Sequence, residues 1–514
     1  MEQTNQRKIG VVLSYISLIA NAIIGFLYVP LLLRFMGDDE YGLYQLMGSL
    51  IAYFSVMDFG LSSTIVRYFS KYKTLGDHRN MENVLALSAL IYLVITLLLL
   101  AAGAICYVNL EGIFHKSLTP AEVVSAKKIF IVLLINIVIT IPSKIFDAVI
   151  ISYERFVYLK LVTILQIVLQ PFVVIAVMQE YPYALGLVIV QTVFNFLLVL
   201  AKAFYSLGKL KMKIRLHAFD KPLFKSMMGF SFFVFLGAIM DQLFWRTNPV
   251  ILGIVFNTAV VAVYSTATTI FNAYMSLSTV ITSVFLPKVT GMVAQNASRK
   301  DLSDLFIRIG RLQFLLLSCV LSGFILFGRQ FIDIWVGAGF EDAYLITLFL
   351  IVPFTVDLIQ NIGLTILQAE NKLAFRSVVF LAASVVNILV SIPAAIYFGG
   401  PGCAFSTGLT FFIADAVIMN VYYARKIGID IKAFWLEIAK IGFFSVLCTL
   451  VGMVFNWIPF ASGYINLGIK VIAYLLLFVP VMWFFVTNSY EKNLVKNVVK
   501  KVVAKLTIRK AGVK

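Results

Sequence analysis

Fourteen apolar runs, each long enough to cross a bilayer as a helix, follow one another along this chain. They fall near 9–33, 42–68, 83–109, 123–147, 156–178, 182–207, 226–253, 258–286, 304–328, 343–367, 372–398, 402–425, 434–458 and 464–488. A hydrocarbon core about 30 Å thick takes roughly 20 apolar residues per helix. A segment in lipid must also satisfy its own backbone hydrogen bonds, which for runs of this length means an α-helix. Composition agrees with that solvent: 61% of the 514 residues are hydrophobic, 13% are charged and the mean hydropathy is +0.95. A soluble domain is about half apolar and about a quarter charged. The chain is therefore expected to be an all-α polytopic membrane protein of about 14 transmembrane helices. Arg7 and Lys8 precede a first run too long for a signal-peptide core, so that run reads as a span.

Charge orients the spans. The formal net charge is +17, but it is not gathered on a soluble domain, which argues against nucleic-acid binding. With the N-terminus inside, inward loops, ends and adjoining helix turns hold 35 of the 42 Lys and Arg. The outward set is Arg34, Lys116, Lys127, Lys128, Arg246, Arg329 and Lys470. Acidic residues show no such bias, as the positive-inside rule expects. Both termini are thus expected on the cytoplasmic side. No outward loop is long enough to fold as a domain; the longest lie around 110–122 and 329–342.

The longest inward loop, GKLKMKIRLHAFDKPLFK at 208–225, is strongly basic and divides the spans into six, six and two. The expected organisation is 1–207 (spans 1–6), a basic linker 208–225, 226–425 (spans 7–12), 426–488 (spans 13–14) and a tail 489–514. Tyr44 and Tyr264, Ser63 and Ser283, and Pro30 and Pro249 echo across the two halves, either by chance or as an internal repeat. In the tail, Val495, Val498, Val499, Val502, Val503 and Leu506 recur at helical spacing between lysines. Such a segment is expected to lie on the anionic inner leaflet, or else to dock a partner.

Ionisable groups at bilayer depth are costly and mark candidate sites. Four carboxylates qualify: Asp58, Asp241, Asp357 and Asp415. The clearest intramembrane cation is Arg246, which either binds an anionic head group through its fork or snorkels to the outer interface. Arg67, Arg311 and Arg376 lie near inner helix ends, where the positive-inside rule accounts for them. Lys144 and Asp147, three apart, are expected to pair locally. Asn136, Gln166, Gln170, Gln191, Asn195, Gln360, Asn387 and Asn420 are among the polar residues that tie helices together or line a hydrated cavity. Pro142, Pro171, Pro353 and Pro393 supply bends.

Enzyme chemistry finds no foothold. Cys106, Cys319, Cys403 and Cys448 lack paired spacing, and His78, His115 and His217 are isolated in loops, so neither a metal site nor a disulfide framework is expected. No Gly-rich phosphate loop occurs, so no catalytic residue and no bound cofactor is expected. A membrane glycosyl polymerase or ligase, the enzyme alternative, would need a larger outward loop for its acceptor.

Four stretches carry a family resemblance, in order. MGDDEYGLYQLMGSLIAYFSVMDFGLSSTIVRYFS (36–70), DQLFWRTNPVILGIVFNTAVVAVYSTAT (241–268), ILQAENKLAFRSVVFLAASVVNILVSIPAAIYFGGPGCAFSTG (366–408) and YYARKIGIDIKAFW (422–435) resemble bacterial polysaccharide-export flippases. These form the oligosaccharide flippase branch of the multidrug/oligosaccharidyl-lipid/polysaccharide exporter superfamily. The resemblance implies two six-helix lobes around a central cavity plus a final pair. It also implies movement of polyprenyl-diphosphate-linked oligosaccharide between leaflets of the bacterial plasma membrane by alternating access, alongside other polysaccharide-assembly proteins. A cationic cavity for the diphosphate is part of that expectation. Arg246 and Arg67, with Asp241 and Asp58, are the positions it would use here. Coupling to H+ or Na+ would fall to Asp58, Asp241, Asp357 or Asp415. The rival in the superfamily is a multidrug antiporter. Such proteins commonly have twelve spans and often a carboxylate in the first, which residues 9–33 lack.

Overall fold

The structure is a computed structural model that describes residues 2–295, 297–370, 372–457, 463–494 and 496. For some of these, Asp241 among them, the backbone but not the side chain is described. Of the tail 489–514, only residues 489–494 and 496 are described, so the expected amphipathic segment, Lys496 apart, lies outside the described residues.

The described residues are mostly helical, with no strand among them. In order, the helices are α1 (Glu2–Phe54), α2 (Leu61–Thr74), α3 (His78–Phe114), α4 (Pro120–Ser152), α5 (Phe156–Glu180), α6 (Ala184–Phe204), α7 (Lys221–Trp245) and α8 (Thr247–Val255). They continue with α9 (Thr258–Ala294), α10 (Arg299–Val336), α11 (Asp342–Ala369), α12 (Leu373–Phe412), α13 (Asn420–Tyr422), α14 (Ile431–Gly452) and α15 (Gly463–Val481). Among the described residues, eleven helical stretches are long and apolar enough to cross a membrane. The protein is a multi-pass membrane protein.

Two stretches exceed a single crossing: Val12–Thr74 has 63 residues and Leu373–Ile427 has 55. Each contains a glycine in a conformation only glycine adopts readily, Gly37 (φ 76°, ψ 175°) and Gly399 (φ 62°, ψ −144°). Both stand where the apolar pattern is interrupted, between 9–33 and 42–68 and between 372–398 and 402–425. Pro142, Pro171, Pro353 and Pro393 lie inside α4, α5, α11 and α12. Large apolar side chains stand exposed on the helix faces, such as Leu97, Phe172, Leu389 and Leu476. That distribution suits lipid and not water.

The chain forms two compact units. Unit 1 comprises Met1–Ala273, Leu345–Thr347 and Ser377–Thr410. In it α1 packs along α5, α4 packs on α3 and α6, and α2 runs beside α3, α4 and α7. Unit 2 comprises Tyr274–Tyr344, Leu348–Arg376 and Phe411–Lys514. There α14 and α15 pack on α10 around Leu326, Phe327, Ile441, Cys448, Tyr474 and Phe478. Burying a large apolar side chain against protein gains little over lipid, so close packing and polar contacts must hold such helices together. Tyr474 supplies one, donating to Ser322 Oγ at 2.6 Å from within this cluster.

Candidate functional site

The apolar run 42–68 does not form one continuous helix. After α1 a 3-10 turn, Ser55–Asp58, leads to Phe59 (φ 49°) and Gly60 (φ 66°), both left-handed, before α2 begins. A Cβ on Gly60 would lie 2.4 Å from Val234 Cβ, so α7 needs glycine there to approach. The break places Asp58 against α3 and α4. Tyr92 donates to Asp58 Oδ1 at 2.9 Å, and Lys144 Nζ lies 3.4 Å from Asp58 Oδ2. Lys202 of α6 reaches Asp147 at 2.8 Å. The expected local pair of Lys144 with Asp147 is thus replaced by two pairs between elements. Each cation is drawn to a carboxylate on a neighbouring element because lipid offers no other neutralising group at that depth.

Further along unit 1, polar side chains from α4, α5 and α6 form an amide ladder. Gln166 Nε2 donates to Asn195 Oδ1 at 2.7 Å and to Gln170 Oε1 at 3.2 Å, and Asn195 Nδ2 donates to Asn136 Oδ1 at 3.1 Å. Gln191 of α6 donates to the Tyr44 hydroxyl at 2.9 Å. All these residues are half-buried. An amide partly exposed in mid-span is poorly served by hydrocarbon, so this face suits a hydrated surface bearing hydroxyl groups.

Arg246 stands at the joint between α7 and α8, exposed and within electrostatic reach of Tyr44. The following residue, Thr247, shares a hydrogen bond of 2.6 Å with Tyr53 of α1. Arg67 on α2 is also exposed, its guanidinium 4.5 Å from the centre of the Phe230 ring. Both guanidinium groups stand exposed, and among the described residues neither has an acidic partner. Asp241 lies on α7, but its side chain is outside what the structure describes.

A buried neutral knot lies close by in the chain. Asn248 Nδ2 donates to Tyr264 and Thr407 at 2.7 Å each, while Asn387 Oδ1 accepts from Ser391, Ser406 and Thr407 at 3.1–3.2 Å. It ties both arms of α12, on either side of Gly399, to α8 and α9.

In unit 2, Asp357 of α11 pairs with Arg376 of α12 at 3.3 Å. Asp415, 1% exposed, lies in a π-helical stretch, Ile413–Met419. The structure thus brings Asp357 and Asp415 together around Arg376, so Arg376 does more than mark an inner helix end. Arg311 likewise is buried and ion-paired to Glu491 and Glu437. Hydropathy gave no sign of either arrangement, because the partners are remote in sequence.

The sequence pattern of the family described as "Polysaccharide biosynthesis protein" matches residues 8–292. No curated protein matches the chain. Among solved structures, lipid II flippase MurJ in an inward closed conformation superposes with a TM-score of 0.72 at 15% identity, covering 93% of this chain and 98% of that one. An inward-facing multidrug resistance MATE family transporter of the MOP superfamily gives 0.59 at 14% identity, covering 78% and 96%. The MATE multidrug transporter DinF-BH gives 0.56 at 12% identity, covering 82% and 95%. At such identities the likeness is one of fold. The chain belongs to the polysaccharide biosynthesis protein family and has the helical membrane fold of these flippase and transporter structures.

Proposed function

We propose that this protein moves polyprenyl-diphosphate-linked oligosaccharide from the inner to the outer leaflet of a bacterial plasma membrane by alternating access, for export of a surface polysaccharide. The observation that carries the reading is the polar face of unit 1. There a ladder of half-exposed amides suits sugar hydroxyls, and two exposed arginines with no acidic partner among the described residues, Arg246 and Arg67, suit a diphosphate. The family and the fold shared with a lipid II flippase support it.

This reading counts fourteen spans. In it the helix breaks at Gly37 and Gly399 divide two of the eleven long stretches, and the 37-residue α9 adds another. Both termini lie inside, with two six-span lobes at 1–207 and 226–425 joined by the linker 208–225 and followed by spans 13 and 14. The carboxylates Asp58, Asp241, Asp357 and Asp415 are the candidates for coupling to H+ or Na+.

A second reading, a multidrug antiporter, has the MATE likenesses in its favour. Against it, a flat organic cation has little use for two exposed arginines. Native mass spectrometry of the full-length protein with a polyprenyl-diphosphate-linked oligosaccharide, the matching monophosphate and an organic cation separates them. The diphosphate is expected to bind most tightly; retention of the cation alone would favour the antiporter.

A further inference from the structure

Unit 2 holds two carboxylates and one guanidinium where three helical elements meet. Arg376 Nη2 lies 3.3 Å from Asp357 Oδ1. Asp415 is buried in a π-helical stretch, a geometry that is rare in helices and frequent at functional sites. Its charged and titratable neighbours are Asp357 from α11, Arg376 from α12 and Tyr423 from the next π-helical turn, Tyr423–Ile427. Asp415 Oδ2 has no hydrogen-bond partner among the described residues. Gln360, one turn along α11 from Asp357, donates to Asn420 Oδ1 at 3.1 Å, but its Oε1 also lacks a donor.

One carboxylate of the cluster, Asp357, engages the guanidinium through Nη2, while the other, Asp415, is buried with its Oδ2 lacking a hydrogen-bond partner among the described residues. A carboxylate buried without a cation of its own is strongly disfavoured, whereas the neutral acid both removes the charge and supplies a donor. We propose that Asp415 is a proton-binding site of the transport cycle, held protonated while Arg376 engages Asp357 and emptied when Arg376 swings to bridge both carboxylates. On emptying, the Asp415 O–H bond breaks, the proton passes to water and the cluster goes from neutral to one negative charge. The five guanidinium donors are enough for that bridge. The proposal rests on the transporter reading above and selects one ion and one residue for its coupling.

Infrared difference spectra of the full-length protein in lipid vesicles, taken between acid and alkaline buffers, test it with the proton itself as probe. The expected result is a buried carboxylic-acid C=O band that is lost in Asp415→Asn and weakened at neutral pH in Asp357→Asn, where Arg376 is released to Asp415. Should Asp415→Asn fail to fold, Asp415→Glu decides instead, because it must shift the band. A band that survives Asp415→Asn, stays in place in Asp415→Glu or keeps its amplitude in Asp357→Asn would overturn the proposal. Failure of the flippase reading would leave these spectra as they are and appear only as absence of lipid-linked sugar movement.

Discussion

Arg311 grips Glu491 with two arms, Nε to Oε1 at 2.8 Å and Nη2 to Oε2 at 3.0 Å, and each side chain is 3% exposed. The same guanidinium donates to the Val486 carbonyl at 3.0 Å and pairs with Glu437 of α14. Glu491 in turn accepts from the backbone N–H of Asn488, and its own N–H donates to Asn488 Oδ1. That reciprocal pair is a capping box, which starts a new helical turn beyond the last span. Through Arg311, α10 therefore holds α14, the end of the final π-helical turn and the first residues of the basic tail.

Removing Arg311 strands two carboxylates, one of them fully buried. Arg311→Met is expected to lower stability by about 3–5 kcal/mol. Adding Glu491→Gln should restore part of that loss, because the buried partner is then neutral. Thermal unfolding of both single variants and the double variant measures the coupling; additive effects would contradict the pairing.

Two glycines permit close approach of helices within unit 1. A Cβ on Gly42 would lie 1.9 Å from the Thr258 carbonyl oxygen, and one on Gly60 would lie 2.4 Å from Val234 Cβ at a left-handed φ of 66°. Gly42→Ala and Gly60→Ala are each expected to cost about 1–3 kcal/mol, as overpacking does. Gly25→Ala, with nothing within 4 Å, serves as a near-neutral control in the same melting experiment.

Glu370, in the loop after α11, predicts a pH effect. Burial works upward on its carboxyl, but hydrogen bonds from Lys372 and Arg299 and their charges outweigh that and hold it below the usual carboxylate range. Lys372 Nζ lies 2.8 Å from Oε2, and Arg299 pairs with Oε1. A depressed value in the folded state stabilises above the ordinary value of 4.5 and is lost as pH falls through the folded value. Both cations are well exposed, so screening limits the effect to about 1 kcal/mol. Glu370→Gln should melt lower than wild type at neutral pH and converge with it in strong acid. An equal gap at both pH values would contradict this account.

The span pattern was legible because hydropathy reports which residues lipid tolerates, and that is a local property. Gly37 and Gly399 break the helix between apolar runs that hydropathy separates. Two further breaks fall inside apolar runs that hydropathy reads as continuous, each with a local trace: Asp58-Phe59-Gly60 in the second run and Thr247-Asn248-Pro249 in the seventh. The residue types of the amide ladder were visible, but not their pairing. Asp58 with Lys144, Gln166 with Asn195 and Arg311 with Glu491 join residues far apart in sequence, and only tertiary packing selects such partners.

The central claim concerns what crosses the membrane. Full-length protein in liposomes should move a fluorescent polyprenyl-diphosphate-linked oligosaccharide between leaflets, read as accessibility to a membrane-impermeant quencher. Arg246→Ala is expected to cut the rate at least tenfold, on the order of the 1.5–3 kcal/mol of a charged hydrogen bond, with Arg246→Lys recovering only part of it. Movement of organic cations without movement of the lipid-linked sugar would contradict the account.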